Sequence, residues 1–377
     1  MKIHVFIISS LIAINIFCNQ KIIGLVPVRN EVETIDQVLK ALSLFVDSIV
    51  VLDDASNDGT PEKIKSIASE CKVEKLIEKK KWHRDEPGDA NKMLQEGRRL
   101  GGTHFIRLDA DEMFTANLLE GNWLRNKILE LKPGDKYVMS WIQLWRSTHK
   151  YRFDSSVWSG TTGDFIFCDD GKCFYKSGFI HTTRSPQYLG GEILNFYEDK
   201  QSKNRSFFMG NRNQLFSQLE ACGMTLCMLE RYVSDIVGPN PSRKDIAKAV
   251  RKVKSKLETP SELNCYRNDF STGVMHFQFV NWDCLLAKQA WYRCLEKIRN
   301  PKVDIEYVNK VYGESKNEEG LKLREAPQNW FEGYSSFYAP KAFVEKESWH
   351  KKQILSWLNQ YEKSFFKDLD IWDAISF

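Results

Sequence analysis

The chain has 377 residues, of which 42% are hydrophobic, so it is long enough to bury a substantial core as one large domain or two. Its 54 Lys and Arg against 50 Asp and Glu leave a formal net charge of only +4, which argues against nucleic acid as a partner and against strong attraction to a charged membrane surface. The nine cysteines are odd in number and lack the spacing of a zinc ribbon, so we expect scattered structural thiols.

The first 20 residues have the pattern of a secretory signal. Lys2 precedes an apolar stretch over residues 5–18, which is the order of the charged and apolar regions of such signals. The stretch is short for a membrane span, which needs about 20 residues, and a buried first strand is the alternative. If residues 1–20 act as a signal, the protein is exported or membrane-associated, with its amino terminus near the membrane; otherwise it is cytoplasmic.

A βαβ unit is predicted directly after this segment. Residues 22–27 form a short apolar run that ends in proline, as expected of a buried parallel strand. Thr34 and Gln37 have the spacing of a capping box and predict a helix start. Residues 48–52 are a second apolar run, so the unit returns to the sheet by a crossover that should be right-handed.

The following elements continue the same alternation. Thr60 is a suitable N-cap with proline at the next position, and Asp89 or Asn91 is predicted to open a helix that ends at a glycine pair. Three further strands and a hairpin are predicted over residues 73–78, 104–108, 137–145, and 165–168 with 172–175. Four helices are predicted over residues 215–236, 244–257, 282–298 and 347–366.

These elements predict an α/β fold with a mostly parallel sheet flanked by helices and a helical carboxyl-terminal extension. The expected domains are a leader over residues 1–20, a sheet domain over 21–210 and a mainly helical region over 211–377. The sheet domain divides into a nucleotide-binding half, 21–115, and an acceptor half, 116–210.

Two acidic clusters follow predicted strands. Asp53 and Asp54 end the second strand, and Asp109 and Asp111 follow the strand at 104–108. Ligands of open α/β sheets bind outside the carboxyl ends of the strands, so we expect these carboxylates to meet there. Two carboxylates two residues apart on extended backbone point to one side and suit Mg²⁺ or Mn²⁺ bridging a diphosphate. Taken alone, an Asp-x-Asp motif is more typical of a solvated acidic loop, since carboxylates are mostly exposed.

Three segments, taken in order, resemble the nucleotide-binding half of family 2 glycosyltransferases of the GT-A fold. They are residues 27–31 (PVRNE), 53–60 (DDASNDGT) and 108–111 (LDAD). The resemblance covers about residues 21–115. It implies a nucleotide-diphosphate sugar as donor, Mn²⁺ or Mg²⁺ as cofactor, transfer of a sugar with inversion, and a role in cell-surface glycan synthesis on an acceptor that the sequence does not identify.

The resemblance also implies residue roles. The nucleotide pocket would be formed by Pro27, Arg29, Asn30, Glu31, Asp53 or Asp54, Asn91 and Asp109, and the metal would be held by Asp109, Asp111 and His181. His276 is the rival to His181, since a neutral imidazole is a common metal ligand, and a buried core histidine is the alternative for either. Asn30 could instead be a turn residue, and Arg29 with Glu31 an exposed ion pair.

An inverting transfer needs a base that takes the proton of the acceptor hydroxyl. Asp164 is the first candidate, followed by Asp169, Asp170 and Glu192, although carboxylates near turns often serve as caps. Further along, Lys288 and Tyr292 share a helical face and could close over donor phosphates or pack against the sheet.

Two other functions remain open. A noncatalytic carbohydrate- or nucleotide-binding protein on the same fold would fit an exported chain. A nucleotidyltransferase would carry a glycine-rich loop after the first strand, which residues 27–31 lack.

Overall fold

The computed structural model describes residues 20–154, 156, 158–159, 161–176, 183–186, 193–195 and 272–375. Within them the strands are β1 Ile22–Val28, β2 Ser48–Asp53, β3 Val73–Glu78, β4 His104–Arg107, β5 Glu112–Phe114, β6 Lys136–Gln143, β7 Lys150–Arg152, β8 Thr162–Cys168, β9 Ile193–Asn195, β10 Val274–His276 and β11 Leu323–Glu325. The helices are α1 Ile35–Ser43, α2 Thr60–Ile67, α3 Glu86–Arg99, α4 Trp123–Leu129, α5 Trp282–Arg299, α6 Ile305–Gly313, α7 Pro340–Glu345, α8 Trp349–Tyr361 and α9 Trp372–Ile375.

Most strands form one sheet, in which most neighbours are parallel. Among the described residues its order is β3-β2-β1-β4-β8-β6-β10-β5, with β9 beside β6. The strands β3, β2, β1 and β4 are parallel, whereas β8 runs antiparallel to both β4 and β6. β7 and β11 form a separate antiparallel pair. The predicted α/β class with a mostly parallel sheet is therefore confirmed.

Helices cover both faces of the sheet because the apolar residues of the central strands alternate. Ile22 and Val26 of β1 pack in the cluster that contains α1, and Ile23 and Leu25 pack in the cluster that contains Met93 of α3. Successive side chains of a strand point to opposite faces. The continuous apolar runs in β1 and β2 are thus explained by burial on both sides.

The predicted start of α1 directly after Thr34 is confirmed, whereas the predicted start of α3 was wrong. Thr34 makes no capping bond to the α1 backbone; its hydroxyl donates instead to Glu31 Oε2 at 2.9 Å. Helix α3 begins at Glu86 rather than at Asp89 or Asn91, because Asp85 is the N-cap and accepts from the Gly88 amide at 3.1 Å. A Cβ atom at Gly88 would lie 2.0 Å from Asp85 Oδ2, so this first turn requires glycine.

The predicted hairpin around Asp170 was also wrong. β8 pairs with β4 and β6, and residues 172–175 form no strand. Asp170 Oδ1 accepts from the amides of Lys172 and Cys173 at 2.8 and 2.6 Å, which folds this segment as a side-chain-stabilised turn. Cys168 and Cys173 are free thiols.

The carboxyl-terminal region is helical where the structure describes it. The predicted helix at 282–298 is confirmed as α5, and the one at 347–366 is confirmed as α8, which stops at Tyr361 because Glu362 has φ 65°. The predicted helices at 215–236 and 244–257 lie outside the described residues. Strand β10 enters the sheet between β6 and β5, so residues on both sides of the predicted boundary at 210 build it; that boundary stays a prediction.

None of the helices among the described residues combines the length and the apolar character that crossing a bilayer requires.

Candidate functional site

The loops that follow β1, β2 and β4 meet at one edge of the sheet. Val28 lies beside Asp53 in the register of β1 and β2, and Leu25 lies beside Arg107 in that of β1 and β4. The predicted acidic residues therefore flank the loop over residues 29–31. This edge is the carboxyl end of parallel strands, the usual place for ligands in such sheets.

A cleft opens at this edge between the sheet and the carboxyl-terminal helices. The cavity within it has a volume of about 30 Å³ and is continuous with solvent. One wall comes from the sheet side and the other from α5 and from the segment 346–350. The lining residues are Asn30, Glu31, Asp111, Phe277, Gln278, Asn281, Cys284, Lys288, Lys346, Glu347, Ser348, Trp349 and His350.

Asp53 and Asp54 hold the loop after β2. Asp53 is only 2% exposed and accepts from the Ser56 amide at 2.9 Å, and burial raises the pKa of its carboxyl group. Asp54 pairs with Lys79 at 2.6 Å, and the same ammonium contacts Asp89 at 2.7 Å. Asp53 thus lies at the predicted edge but does not line the cleft.

Arg29 and Glu31 do not form the exposed ion pair that the sequence left open. The Arg29 guanidinium donates to the backbone carbonyls of Asp54 and, at 2.9 Å, of Ala55. It lies between the rings of Trp82 and Trp349, 5.5 and 5.0 Å from their centroids. The Glu31 carboxylate instead accepts from Lys346 Nζ at 2.8 Å.

Asn30 joins the loops after β1 and β2. It has φ 52°, a left-handed conformation that asparagine tolerates better than most residues. Its amide donates to Ser56 Oγ at 2.8 Å, and its Oδ1 accepts from the Asn57 amide at 2.9 Å. Pro27 lies in β1 in register with Leu52, one residue before the strand ends at Val28 at the same edge.

Asp111 faces a histidine and a lysine from the carboxyl-terminal region. Its Oδ2 lies 3.6 Å from His276 Nε2 and 3.5 Å from Lys288 Nζ. Despite its burial, the Lys288 charge and His276 hold the pKa of the Asp111 carboxyl well below its usual range. His276 stacks on Trp141 at 4.8 Å, and its Nδ1 lies 2.7 Å from Gln143 Oε1.

The pair Asp111 and His276 fits a divalent cation. The Gln143 amide nitrogen faces Trp141 O at 3.2 Å, so its oxygen accepts from His276 Nδ1–H. This assigned tautomer leaves the Nε2 lone pair directed towards Asp111. Two ligand atoms about 2.1 Å from one ion are separated by about 3 Å or slightly more, close to the 3.6 Å seen here.

The two carboxylates of the Asp-x-Asp motif have different partners. Asp109 Oδ2 pairs with Arg184 at 2.7 Å, and the same guanidinium pairs with the fully buried Glu112 at 2.7 Å. The pKa of Glu112 is raised by burial. In this geometry Asp111 faces the cleft and Asp109 does not line it. Asp109 as a metal ligand stays a prediction.

Asn91 bridges two elements instead of facing the cleft. Its side-chain nitrogen donates to Tyr175 O at 2.7 Å, and its Oδ1 accepts from the Tyr175 amide at 2.8 Å. Both ends of the amide are thereby engaged with backbone. This arrangement supports a role in positioning α3 against the segment that follows β8.

The three described candidates for the base lie at two edges of the sheet. Asp164 lies towards the carboxyl end of β4, where it accepts from Lys136 at 2.8 Å and from Ser185 at 2.7 Å. A carboxylate held by an ammonium group is a weak proton acceptor, so Asp164 as the base stays a prediction that this pairing does not favour. Asp169 and Asp170 follow β8 at the opposite edge of the sheet, because β8 is antiparallel to β4.

Two predicted site residues, His181 and Glu192, lie outside the described residues. Among the described residues, the rival histidine His276 lies beside Asp111. Sequence reasoning missed Arg184 and Lys346, since neither belongs to a motif or to a periodic pattern. Glu112 could have been found, because it directly follows the Asp-x-Asp motif.

One family model matches a part of this chain. The model of the glycosyl transferase family 2 matches residues 25–122. No curated protein matches the chain.

Similar solved structures include a mannosyltransferase from Pyrobaculum calidifontis in complex with GDP-Man and Mn²⁺, with 23% identity over 33% of this chain and 36% of that chain and a TM-score of 0.25. TarS 1-349 from S. aureus in complex with UDP has 13% identity over 66% of this chain and 74% of that chain, with a TM-score of 0.34. Glucosyl-3-phosphoglycerate synthase from Mycobacterium tuberculosis in complex with Mn²⁺ and UDP-glucose has 18% identity over 33% of this chain and 44% of that chain, with a TM-score of 0.21.

This chain spans only about a third of the mannosyltransferase and less than half of the synthase. Solved structures at these identities and TM-scores assign no roles to residues of this chain. The family match covers the loops after β1, β2 and β4, and those after β1 and β4 line the cleft. Residues 25–122 of this chain are therefore similar to the glycosyl transferase family 2.

Proposed function

We propose that the protein transfers a hexosyl group from a nucleotide-diphosphate sugar to an acceptor hydroxyl with inversion, assisted by Mn²⁺ or Mg²⁺ held by Asp111 and His276. The observation that supports this most directly is the 3.6 Å separation of Asp111 Oδ2 and His276 Nε2 at the carboxyl edge of the sheet. A carboxylate and an imidazole together favour Mn²⁺ over Mg²⁺, which prefers oxygen ligands.

The reaction is a single displacement at the anomeric carbon. The acceptor oxygen bonds to this carbon, the bond from the carbon to the phosphate oxygen breaks, and its electron pair stays on the diphosphate. The hydroxyl proton passes to a carboxylate base. A bound divalent cation would supply Lewis-acid stabilisation of the leaving diphosphate.

The surrounding residues serve binding and orientation. Gln143 fixes the His276 ring, and Lys288 keeps Asp111 ionised. Asn30 and Asp53 hold the two loops that would receive the nucleotide. The resemblance of residues 27–31 and 53–60 to the nucleotide-binding half of the family supports this assignment.

The test is release of sugar and nucleoside diphosphate from a panel of nucleotide sugars with Mn²⁺, and NMR of the product's anomeric configuration. Inverted product supports the proposal. Binding of nucleoside diphosphate without sugar release from any donor, with or without glycan acceptors, would favour the noncatalytic alternative. Release of pyrophosphate from a nucleoside triphosphate and a sugar phosphate would favour a nucleotidyltransferase.

A further inference from the structure

Two lysines from the carboxyl-terminal region enter the cleft on the side opposite the sheet loops. Lys288 belongs to α5, and Lys346 lies in the short connection between α7 and α8. Their side chains are only 24% and 19% exposed, so both are largely removed from water. Both line the same cleft as Asp111.

Each lysine is paired with an acidic residue of the sheet side. Lys288 Nζ lies 3.5 Å from Asp111 Oδ2, and Lys346 Nζ lies 2.8 and 3.2 Å from the two carboxylate oxygens of Glu31. Lysine is protonated at neutral pH, and a carboxylate partner favours the charged ammonium form. Both lysines therefore carry a positive charge in the folded protein.

This pairing leaves the two ammonium groups available for a second anion. Lys288 makes a long contact with Asp111, and Asp111 is also the carboxylate that would bind the cation. A cation at Asp111 would repel Lys288, which would then turn to the next anion in the cleft. The two hydrogen bonds to the Glu31 carboxylate, at 2.8 and 3.2 Å, leave one of the three donors of the Lys346 ammonium group for a second anion.

The departing diphosphate is an anion that the two ammonium groups would stabilise. When the sugar departs, the diphosphate keeps the bonding electron pair and gains one negative charge. A fixed cation that contacts this phosphate binds the transition state more tightly than the donor, and that difference accelerates the reaction.

We infer that Lys288 and Lys346 together form the diphosphate clamp of this site, contacting the donor phosphates from the helical side of the cleft. The inference rests on the proposed function and adds two residues from beyond the segment that the family model matches, residues 25–122. It assigns to the carboxyl-terminal region a direct share in donor binding and in leaving-group departure.

The experiment compares nucleotide affinity in Lys288→Gln, Lys346→Gln and Lys341→Gln. The last is a matched control, because Lys341 lies on α7 with its side chain 79% exposed and outside the cleft. Titration calorimetry, in Mn²⁺ and in parallel in EDTA, uses the diphosphates and monophosphates of uridine, guanosine, adenosine, cytidine and thymidine. The monophosphate reports the nucleoside pocket, and the diphosphate adds the second phosphate.

We expect each cleft variant to lose about tenfold or more in affinity for the diphosphate, with monophosphate affinity changed by less than about twofold and with the control unchanged. Lys346→Arg keeps the charge and should restore most of the diphosphate affinity, which separates charge from folding. Equal losses for both nucleotides, or no loss for either, would overturn the inference.

The outcomes separate this inference from the proposed function. Diphosphate affinity that depends on both lysines, without sugar release from any donor, would leave the clamp standing and remove the transferase. Sugar release that neither Lys288→Gln nor Lys346→Gln changes would support the transferase and overturn the clamp. A wild-type protein that binds none of these nucleotides would overturn both.

Discussion

Replacing Gln143 by leucine tests how the His276 ring is held. Gln143 is 2% exposed, and its Oε1 lies 2.7 Å from His276 Nδ1. Leucine cannot accept this hydrogen bond, so the ring loses both its tautomer preference and its orientation towards Asp111. Removing such an outer partner of a metal ligand typically costs about 10–100-fold in metal affinity, which corresponds to about 1.4–2.7 kcal/mol.

The assay is Mn²⁺ binding by calorimetry or by the EPR signal of free Mn²⁺. Because Nδ1–H would be left buried without an acceptor, Gln143→Leu should also lower the free energy of unfolding by about 1–3 kcal/mol. Gln143→Glu is the matched control, since its carboxylate accepts from Nδ1–H and should keep Mn²⁺ affinity at or above the wild-type value. A folded Gln143→Leu protein with unchanged Mn²⁺ affinity would refute the role of His276 as a metal ligand.

Three further predictions concern activity and stability. Asp111→Asn removes the carboxylate that faces His276 and should lower metal-dependent turnover by about 100-fold or more without unfolding the protein; unchanged turnover would remove Asp111 from its role. Tyr334→Phe removes a buried hydroxyl that donates to Phe114 O at 2.9 Å and should lower the free energy of unfolding by about 1–2 kcal/mol in urea denaturation; an unchanged midpoint would contradict this. Burial and the charges of Lys288 and Lys346 lower the pKa of His350 well below 6.5. Its neutral form therefore stabilises the fold above about pH 6.5, and that stability is lost as the pH falls, by at most about 1.4 kcal/mol per pH unit. His350→Gln should make the free energy of unfolding less dependent on pH between pH 5 and 6.5. An unchanged slope would show that His350 is not the source of this dependence.

The sequence predicted the sheet side of the site because its signals are local. Apolar runs mark β1 and β2, and parallel strands joined by crossovers must end at one edge. That edge brings Asp53 and Asp111 to the two sides of the loop after β1. The start of α1 after Thr34 was predicted correctly, although the Thr34 hydroxyl bonds to Glu31 instead of capping the helix. The start of α3 was predicted too late, because Asp85 rather than Asp89 caps it.

The helical side could not be predicted in the same way. Lys346 contacts Glu31 across 315 residues of sequence, and no periodicity encodes such a long-range pair. The choice between His181 and His276 depended likewise on which segment returns to the sheet. β10 inserts beside β6 and carries His276 to Asp111, a tertiary event that no local pattern of the chain records.

Diffraction at the manganese absorption edge, from crystals grown with Mn²⁺ and a nucleoside diphosphate, tests the central claim most directly. The account predicts an anomalous peak between Asp111 Oδ2 and His276 Nε2, with the diphosphate on its open side. A peak elsewhere on the molecule, or bound nucleotide without manganese at these two side chains, would contradict it.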